Sequence, residues 1–364
     1  MTESGHKTIG VTKVYLPDFN KYSKYLKQIW KTRQIVNDGP FLVKLESKLI
    51  KYLGVKNLKV LANGTLGLQM AVKGLDLSGE VITTPFSYVA STTSIVWQNC
   101  QPVFVDIDPI TLCIDPSKIE AKITKKTQAI LAVHVYGNIC NVEEIEKIAK
   151  KHKLKVIYDS AHAFGINYKG KSILNWGDIS VLSFHATKIF HTGEGGAIVC
   201  NSPELAHKIS YLRNFGHNGQ EDFWGLGINA KTSELHAAMG LCVLPDVKFL
   251  VNTRKKLTEK FDLELGDKIV SRPVFNPNAT RNYIYYPIIL NSEKQLLKIR
   301  KALNAKKIFP RRYFYPSLTK LPYVKKQFCP IAENISKRVL CLPMYDSLKF
   351  SEIKKISKII KANL

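Results

Sequence analysis

From about residue 40 to 245 the chain alternates short apolar runs with longer amphipathic ones, and this alternation constrains its fold more than any other feature. LKVLAN, EVITTP, QPVFVDID, QAILAVHVYG, LKVIYDS, DISVLSF and GGAIVCN read as buried strands rich in Val and Ile. Between the first five lie GTLGLQMAVKGL, SYVASTTSIVWQN, DPSKIEAKITKKT and NVEEIEKIAKKHK, whose apolar residues recur at helical spacing; Asp115 and Pro116 open the third as cap and first-turn residue. Repetition of this kind predicts an α/β fold with a mainly parallel sheet covered by helices on both faces. After residue 245 the pattern loosens into one strand-like run, IYYPIILN, a helix, SEKQLLKIRKALNAKKI, a Pro-rich stretch and a closing amphipathic helix, FSEIKKISKIIKANL. The expected division is a large α/β domain with an N-terminal arm over 1–245 and a smaller C-terminal domain over 246–364.

In such sheets ligands sit beyond the carboxyl ends of the strands, and four strand ends here carry chemistry. LKVLANGTLGL puts Asn63, Gly64 and Thr65 where a strand becomes a helix, so that backbone N–H groups and a hydroxyl can cradle a phosphate. The same residues would also serve as an ordinary turn and cap. Neither GxGxxG nor GK[ST] is present there, which disfavours NAD and ATP. EVITTP is followed by Phe86, Ser87 and Tyr88, aromatic rings at the rim that either meet a ligand or pack under the helix. VIYDSAHAFG ends an apolar strand in Asp159, with His162 three residues on, a carboxylate costly to bury for structure alone. In SFHATKIFHTGEGGAIV, Lys188 stands between two apolar strands; a lysine there either reaches water or, desolvated, becomes a neutral nucleophile.

Composition narrows the alternatives. The net charge is +25, yet only nine of the 54 basic residues are arginines and the lysines are spread over every segment, which reads as solvated helix faces. Nucleic acid is therefore not expected as a partner, although a diffuse positive field suits an anionic small molecule. Seven scattered cysteines without CxxC spacing suggest neither zinc nor disulfides, so no metal is expected. MTESGHKTIGVTK lacks a signal pattern and no apolar stretch is long enough to span a bilayer; a cytoplasmic location without membrane contact is expected.

A phosphate cradle, an aromatic face, a buried carboxylate and a lysine together suit pyridoxal 5'-phosphate, whose aldehyde needs an amine, whose pyridine nitrogen needs a carboxylate and whose phosphate needs a helix N-terminus. At this point a resemblance becomes specific. GTLGL, TPFSYVAST, DSAHAFG and SFHATK…EGGAIV, continued by RNFGHNG, GINAKTSELHAAMG and RRYFYPSL, resemble the sugar-nucleotide aminotransferases of the DegT/DnrJ/EryC1/StrS family, which have the aspartate-aminotransferase fold (fold type I). The likeness covers nearly the whole chain.

The resemblance implies roles residue by residue. Lys188 matches the lysine that binds the cofactor and moves the proton, and Asp159 matches the partner of the pyridine nitrogen. His162 matches the residue beside the phenolic oxygen and Tyr88 the aromatic stacked on the ring. Gly64, Thr65 and Ser183 match the phosphate contacts, while Asn229 in GINAKTSE matches an asparagine that reaches the phosphate from the neighbouring subunit, implying a homodimer with shared active sites. His185 either orients substrate or packs, and Glu194 braces a turn. Arg311 and Arg312 either hold a nucleotide diphosphate or pair with surface carboxylates.

The implied reaction moves the amino group of L-glutamate to the keto group of a nucleotide-linked keto-deoxysugar, the cofactor passing through its pyridoxamine form (PMP). SFHATKIFHTGEGGA and the following NFG resemble the branch acting at C4 of dTDP-4-keto-6-deoxyglucose in deoxyaminosugar and O-antigen synthesis. GDP-perosamine synthesis and a sugar 3-aminotransferase are the alternatives within the family. A non-catalytic regulatory homologue or a nucleic-acid-binding protein is the alternative outside it.

Overall fold

The computed structural model describes residues 8–266 and 271–364; the first seven residues of the expected N-terminal arm lie outside them. The strand-like runs form one seven-stranded sheet: β1 (Asn57–Leu61), β2 (Glu80–Thr83), β3 (Gln101–Phe104), β4 (Thr127–Val133), β5 (Lys155–Asp159), β6 (Ile179–Ser183) and β7 (Gly196–Cys200), in the order β1-β7-β6-β5-β4-β2-β3. The pairs β2–β3, β2–β4, β4–β5 and β5–β6 are parallel. β7 runs antiparallel to both β6 and β1. That reversal goes with the connection after β6, a loop over 184–195 that forms no crossover helix. β1 is consequently parallel to β6, so the carboxyl ends of β1, β2, β5 and β6 open on one edge of the sheet.

Helices α1 (Gly64–Gly74), α2 (Val89–Trp97) and α3 (Val142–His152) form where the apolar spacing places them. α3 follows the capping rules: Asn141 accepts from Glu144 N–H, two glutamates occupy its first turn and two lysines and a histidine its last. DPSKIEAKITKKT does not form the expected helix. Asp115 caps only a 3₁₀ turn at Pro116–Lys118, and a second follows at Glu120–Lys122. Ile119 is fully buried, but Ile123 already has extended backbone and the lysines beyond it face water, so too little apolar surface is buried to propagate a helix.

Beyond residue 245 the helix Val247–Leu265, the strand Tyr286–Ile289, the helix Glu293–Ala305, the strand Val339–Leu342 and the helix Phe350–Lys361 build a smaller layer with the two strands antiparallel. Leu257, Phe261, Leu296, Ile299, Leu340, Ile353 and Ile356 centre a second buried apolar cluster there. Ile9 belongs to that cluster, and Ile9–Gly10 pairs in parallel with Ile308–Phe309. The arm then crosses to the large sheet, where the Tyr15 carbonyl meets His191 Nε2 at 2.7 Å and the Tyr15 hydroxyl donates to Asp246 at 2.8 Å. All seven cysteines are buried and unbridged, which is the packing role of a small apolar side chain. No helix among the described residues is long and apolar enough to cross a membrane.

Candidate active site

A cavity of about 720 Å³ opens at the carboxyl edge of the sheet. Its walls include Gly64, Thr65, Tyr88, Asp159, His162, Ser183, His185, Lys188, Glu194 and Arg311, so ten of the twelve residues given roles from sequence meet in one place. They come from strand ends, from the loops that follow those strands and from the starts of α1 and α2, with Arg311 added from beyond residue 245.

The cradle is set by register. Gly196, the first residue of β7, pairs with Leu61 on one side and Ser183 on the other, which brings the β1–α1 turn against the end of β6. A Cβ on Gly196 would stand 2.6 Å from the Asn63 carbonyl carbon and the Gly64 nitrogen, so β7 can pass the turn only as glycine. A Cβ on Gly64 would meet the Leu182 carbonyl oxygen and Ser183 Cβ at 3.3 Å. The side chain of Asn63 accepts from Leu66 N–H at 2.9 Å. The first N–H groups of a helix have no intrahelical acceptor, so those of Gly64 and Thr65 remain for an anion, beside the Ser183 hydroxyl. This donor set fits a phosphate.

Asp159 ends β5 and is buried, which pushes its pKa above the usual carboxylate value. The Ser91 hydroxyl, donating to Oδ2 at 2.7 Å, and Ala161 N–H, donating to Oδ1 at 3.1 Å, oppose that push together with the nearby Lys188. A carboxylate held this way fits a protonated ring nitrogen. Lys188 follows β6; burial pulls its ammonium down to about 8 against the opposing field of Asp159. An amine so placed carries a far larger neutral fraction near physiological pH than an ordinary lysine, which is what Schiff-base formation draws on.

His162 is fixed in one tautomer. Its Nδ1 accepts from Tyr136 N–H at 3.3 Å, and burial keeps the ring neutral by driving its pKa well below the ordinary value, so the proton resides on Nε2. Tyr136 can present that N–H because its backbone takes a φ of 57°. The ring of Phe314 stacks parallel to His162 with centroids 6.0 Å apart, and Tyr285 meets it edge-on at 5.0 Å. Tyr88 leaves its ring 60% exposed at the cavity, where it is free to cover a planar ligand. His185 is exposed at the mouth, with Nδ1 2.8 Å from the Thr187 hydroxyl and Nε2 3.7 Å from the Glu194 carboxylate. Glu194 therefore lines the mouth as well as bracing the turn.

The two arginines separate. Arg311 exchanges backbone hydrogen bonds with Cys341 and turns its guanidinium to the cavity, 5.2 Å above the Tyr313 ring. Arg312 points the other way, as successive residues of extended backbone do. It pairs with Glu293 at 2.7 Å, donates to the Lys337 carbonyl and lies 3.4 Å from the Tyr315 ring centroid, outside the cavity walls. Asn229 is also absent from these walls; it is exposed and bridges to Asn214.

Sequence reasoning missed Tyr285, Tyr313 and Phe314, which the chain beyond residue 245 contributes, far in sequence from Lys188 and Asp159. The run RRYFYPSL held the signal for two of them in its density of aromatic residues. Thr12, in the N-terminal arm, also reaches the cavity and had no signal.

A model of the DegT/DnrJ/EryC1/StrS aminotransferase family matches residues 19–361. A dTDP-4-amino-4,6-dideoxy-D-glucose transaminase from Shigella dysenteriae is 43% identical over 98% of this chain and 99% of its own length. A GDP-perosamine synthase from Escherichia coli O157:H7 is 32% identical over 93% of this chain and 95% of its own. Among solved structures, DesI in the presence of its TDP-sugar product superposes with a TM-score of 0.93 at 28% identity, covering 99% of this chain and 93% of that one.

Proposed function

This chain belongs to the DegT/DnrJ/EryC1/StrS aminotransferase family, and on that premise we propose that it moves the amino group of L-glutamate to C4 of dTDP-4-keto-6-deoxyglucose, giving dTDP-4-amino-4,6-dideoxyglucose and 2-oxoglutarate. The observation that carries the reading is the convergence of a helix N-terminus, Asp159 and a desolvated Lys188 on one cavity, in a chain 43% identical to a transaminase of that specificity. The cofactor is pyridoxal 5'-phosphate, which supplies an electron sink for the carbon that loses or gains the amine.

The chain's own residues divide the work. Gly64, Thr65 and Ser183 would hold the phosphate, Tyr88 would cover the ring, His162 would offer its Nε2 proton to the phenolic oxygen, and Asp159 would keep the ring nitrogen protonated. Lys188 would supply the amine that binds the aldehyde and, once free, would carry the proton between donor and acceptor carbons on Nζ. Arg311, at the rim, is placed to take a diphosphate oxygen by a charge-assisted hydrogen bond, and His185 stands where a sugar would pass. A screen of 4-keto and 3-keto sugar nucleotides with glutamate, read by product NMR, tests the specificity. The dTDP-linked 4-keto sugar should give the highest kcat/KM. A higher value for the GDP-linked mannose analogue, the second reading suggested by the 32% relative, or for a 3-keto isomer would overturn it.

The enzyme works as a cytoplasmic homodimer with shared active sites, Asn229 of each subunit completing the phosphate site of the other. Support comes from Asn229 being exposed and outside its own cavity, next to a run that leaves Phe223, Trp224 and Leu226 at 56% exposure or more. Mixing inactive Lys188→Ala with a disabled Asn229→Ala subunit should restore part of the activity, because each heterodimer holds one complete site. A fully active monomer in ultracentrifugation would contradict this.

A further inference from the structure

Behind the Asp159 carboxylate lies a short chain of hydroxyls, from Ser91 on α2 and Ser87 just before it, that none of the roles above uses. Ser91 Oγ is 2.7 Å from Asp159 Oδ2 and 2.7 Å from Ser87 Oγ. Ser87 is 2% exposed and Ser91 fully buried, yet Ser87 also touches the cavity wall. The directions of these bonds follow from valence. An ionised carboxylate only accepts, so the Ser91 proton points to Asp159; the Ser91 oxygen then accepts from Ser87, whose proton points to Ser91. Both protons are aimed along one line toward the carboxylate.

We propose that Ser91, with Ser87 behind it, is a positioning residue that holds Asp159 ionised and pins one of its oxygens so that the carboxylate faces the cavity. This rests on the cofactor reading above, in which Asp159 serves the ring nitrogen. Burial alone would favour the protonated carboxyl, and a neutral acid cannot retain a pyridinium proton by charge. Few other groups counter that burial. Lys188, after β6, attracts the carboxylate, and Ala161 N–H binds the other oxygen. His162, on Asp159's own loop, is kept neutral, and the Cys140 thiol, from the segment after β4, is held protonated by burial. Without Ser91, Oδ2 would lose the hydroxyl that both orients it and carries part of its charge.

The full-length chain stripped of cofactor and labelled with ¹³C at aspartate carboxyls provides the first readout. Ser91→Ala should move the Asp159 titration upward by roughly one pH unit, the scale of a lost hydrogen bond to a charged group, and Ser87→Ala should move it by less. Pyridoxal 5'-phosphate should bind Ser91→Ala about tenfold more weakly. Inorganic phosphate, whose site at the α1 N-terminus involves neither Asp159 nor this pair of serines, should bind both variants as it binds the wild type. In an Asp159→Asn background the Ser91→Ala change should cost almost nothing further, because the partner it serves has lost its charge. An unmoved Asp159 titration, or an equal penalty from Ser91→Ala in both backgrounds, would overturn the proposal. If the wild type bound no pyridoxal 5'-phosphate, the cofactor reading would fall, and the carboxylate titration would still decide what Ser91 does.

Discussion

Lys188→Ala should abolish amino transfer while leaving the fold intact, a loss of several orders of magnitude on the scale found when a covalent nucleophile is deleted. In the proposed mechanism Nζ would be both the amine that binds the aldehyde and the base that moves the proton, so one substitution would remove both functions. The side chain lies on the cavity wall between β6 and β7, and its neighbours Ile189 and Phe190, not the amine, anchor the loop in the core. Circular dichroism should therefore match the wild type. The pH dependence has a definite sign. The amine attacks only when neutral, and burial sets its pKa at about 8, so uptake of pyridoxal 5'-phosphate by the cofactor-free wild type should quicken as pH rises through about 8 and then level off. Normal turnover in the alanine variant, or uptake that slows over that range, would show that Lys188 is a structural lysine.

Asp159→Asn should lower kcat by roughly 100-fold or more, about 3 kcal/mol of barrier, with little change in thermal stability. The amide is nearly isosteric: its oxygen can accept from Ala161 N–H while its NH2 group donates to Ser91 Oγ, whose hydroxyl then acts as acceptor. What it lacks is the negative charge that, in the proposed mechanism, would keep the ring nitrogen protonated and so sustain the electron sink. Measured kcat and melting temperature together separate the two roles of the carboxylate. A near-normal kcat accompanied by a lowered Tm would assign Asp159 to structure.

Much of this was legible in the sequence because strand ends are where an α/β sheet puts its chemistry. Once LKVLAN, EVITTP, LKVIYDS and DISVLSF were read as strands, Gly64, Tyr88, Asp159 and Lys188 had to lie along one edge, and they do. What stayed hidden depends on geometry that no local pattern encodes. Ser91 sits in SYVASTTS, where small polar residues look like ordinary helix packing; only the approach of α2 to the end of β5 makes it a donor to Asp159. Arg311 and Arg312 are adjacent and chemically identical, and the backbone pairing with Cys341 decides which one faces inward. The run 115–126 has helical spacing but buries one isoleucine, too little to outweigh the cost of nucleation. The antiparallel course of β7 was invisible because a fully apolar strand reads the same in either direction.

The central claim is that Lys188 is the covalent anchor of the cofactor, and borohydride reduction of the purified protein tests it most directly. Reduction should bleach the colour of the bound cofactor and fix it irreversibly, so that peptide mapping finds the reduced pyridoxyl-phosphate mass on the fragment containing Lys188 and on no other. An unmodified Lys188 fragment from protein carrying pyridoxal 5'-phosphate, or the adduct on a different lysine, would contradict the account.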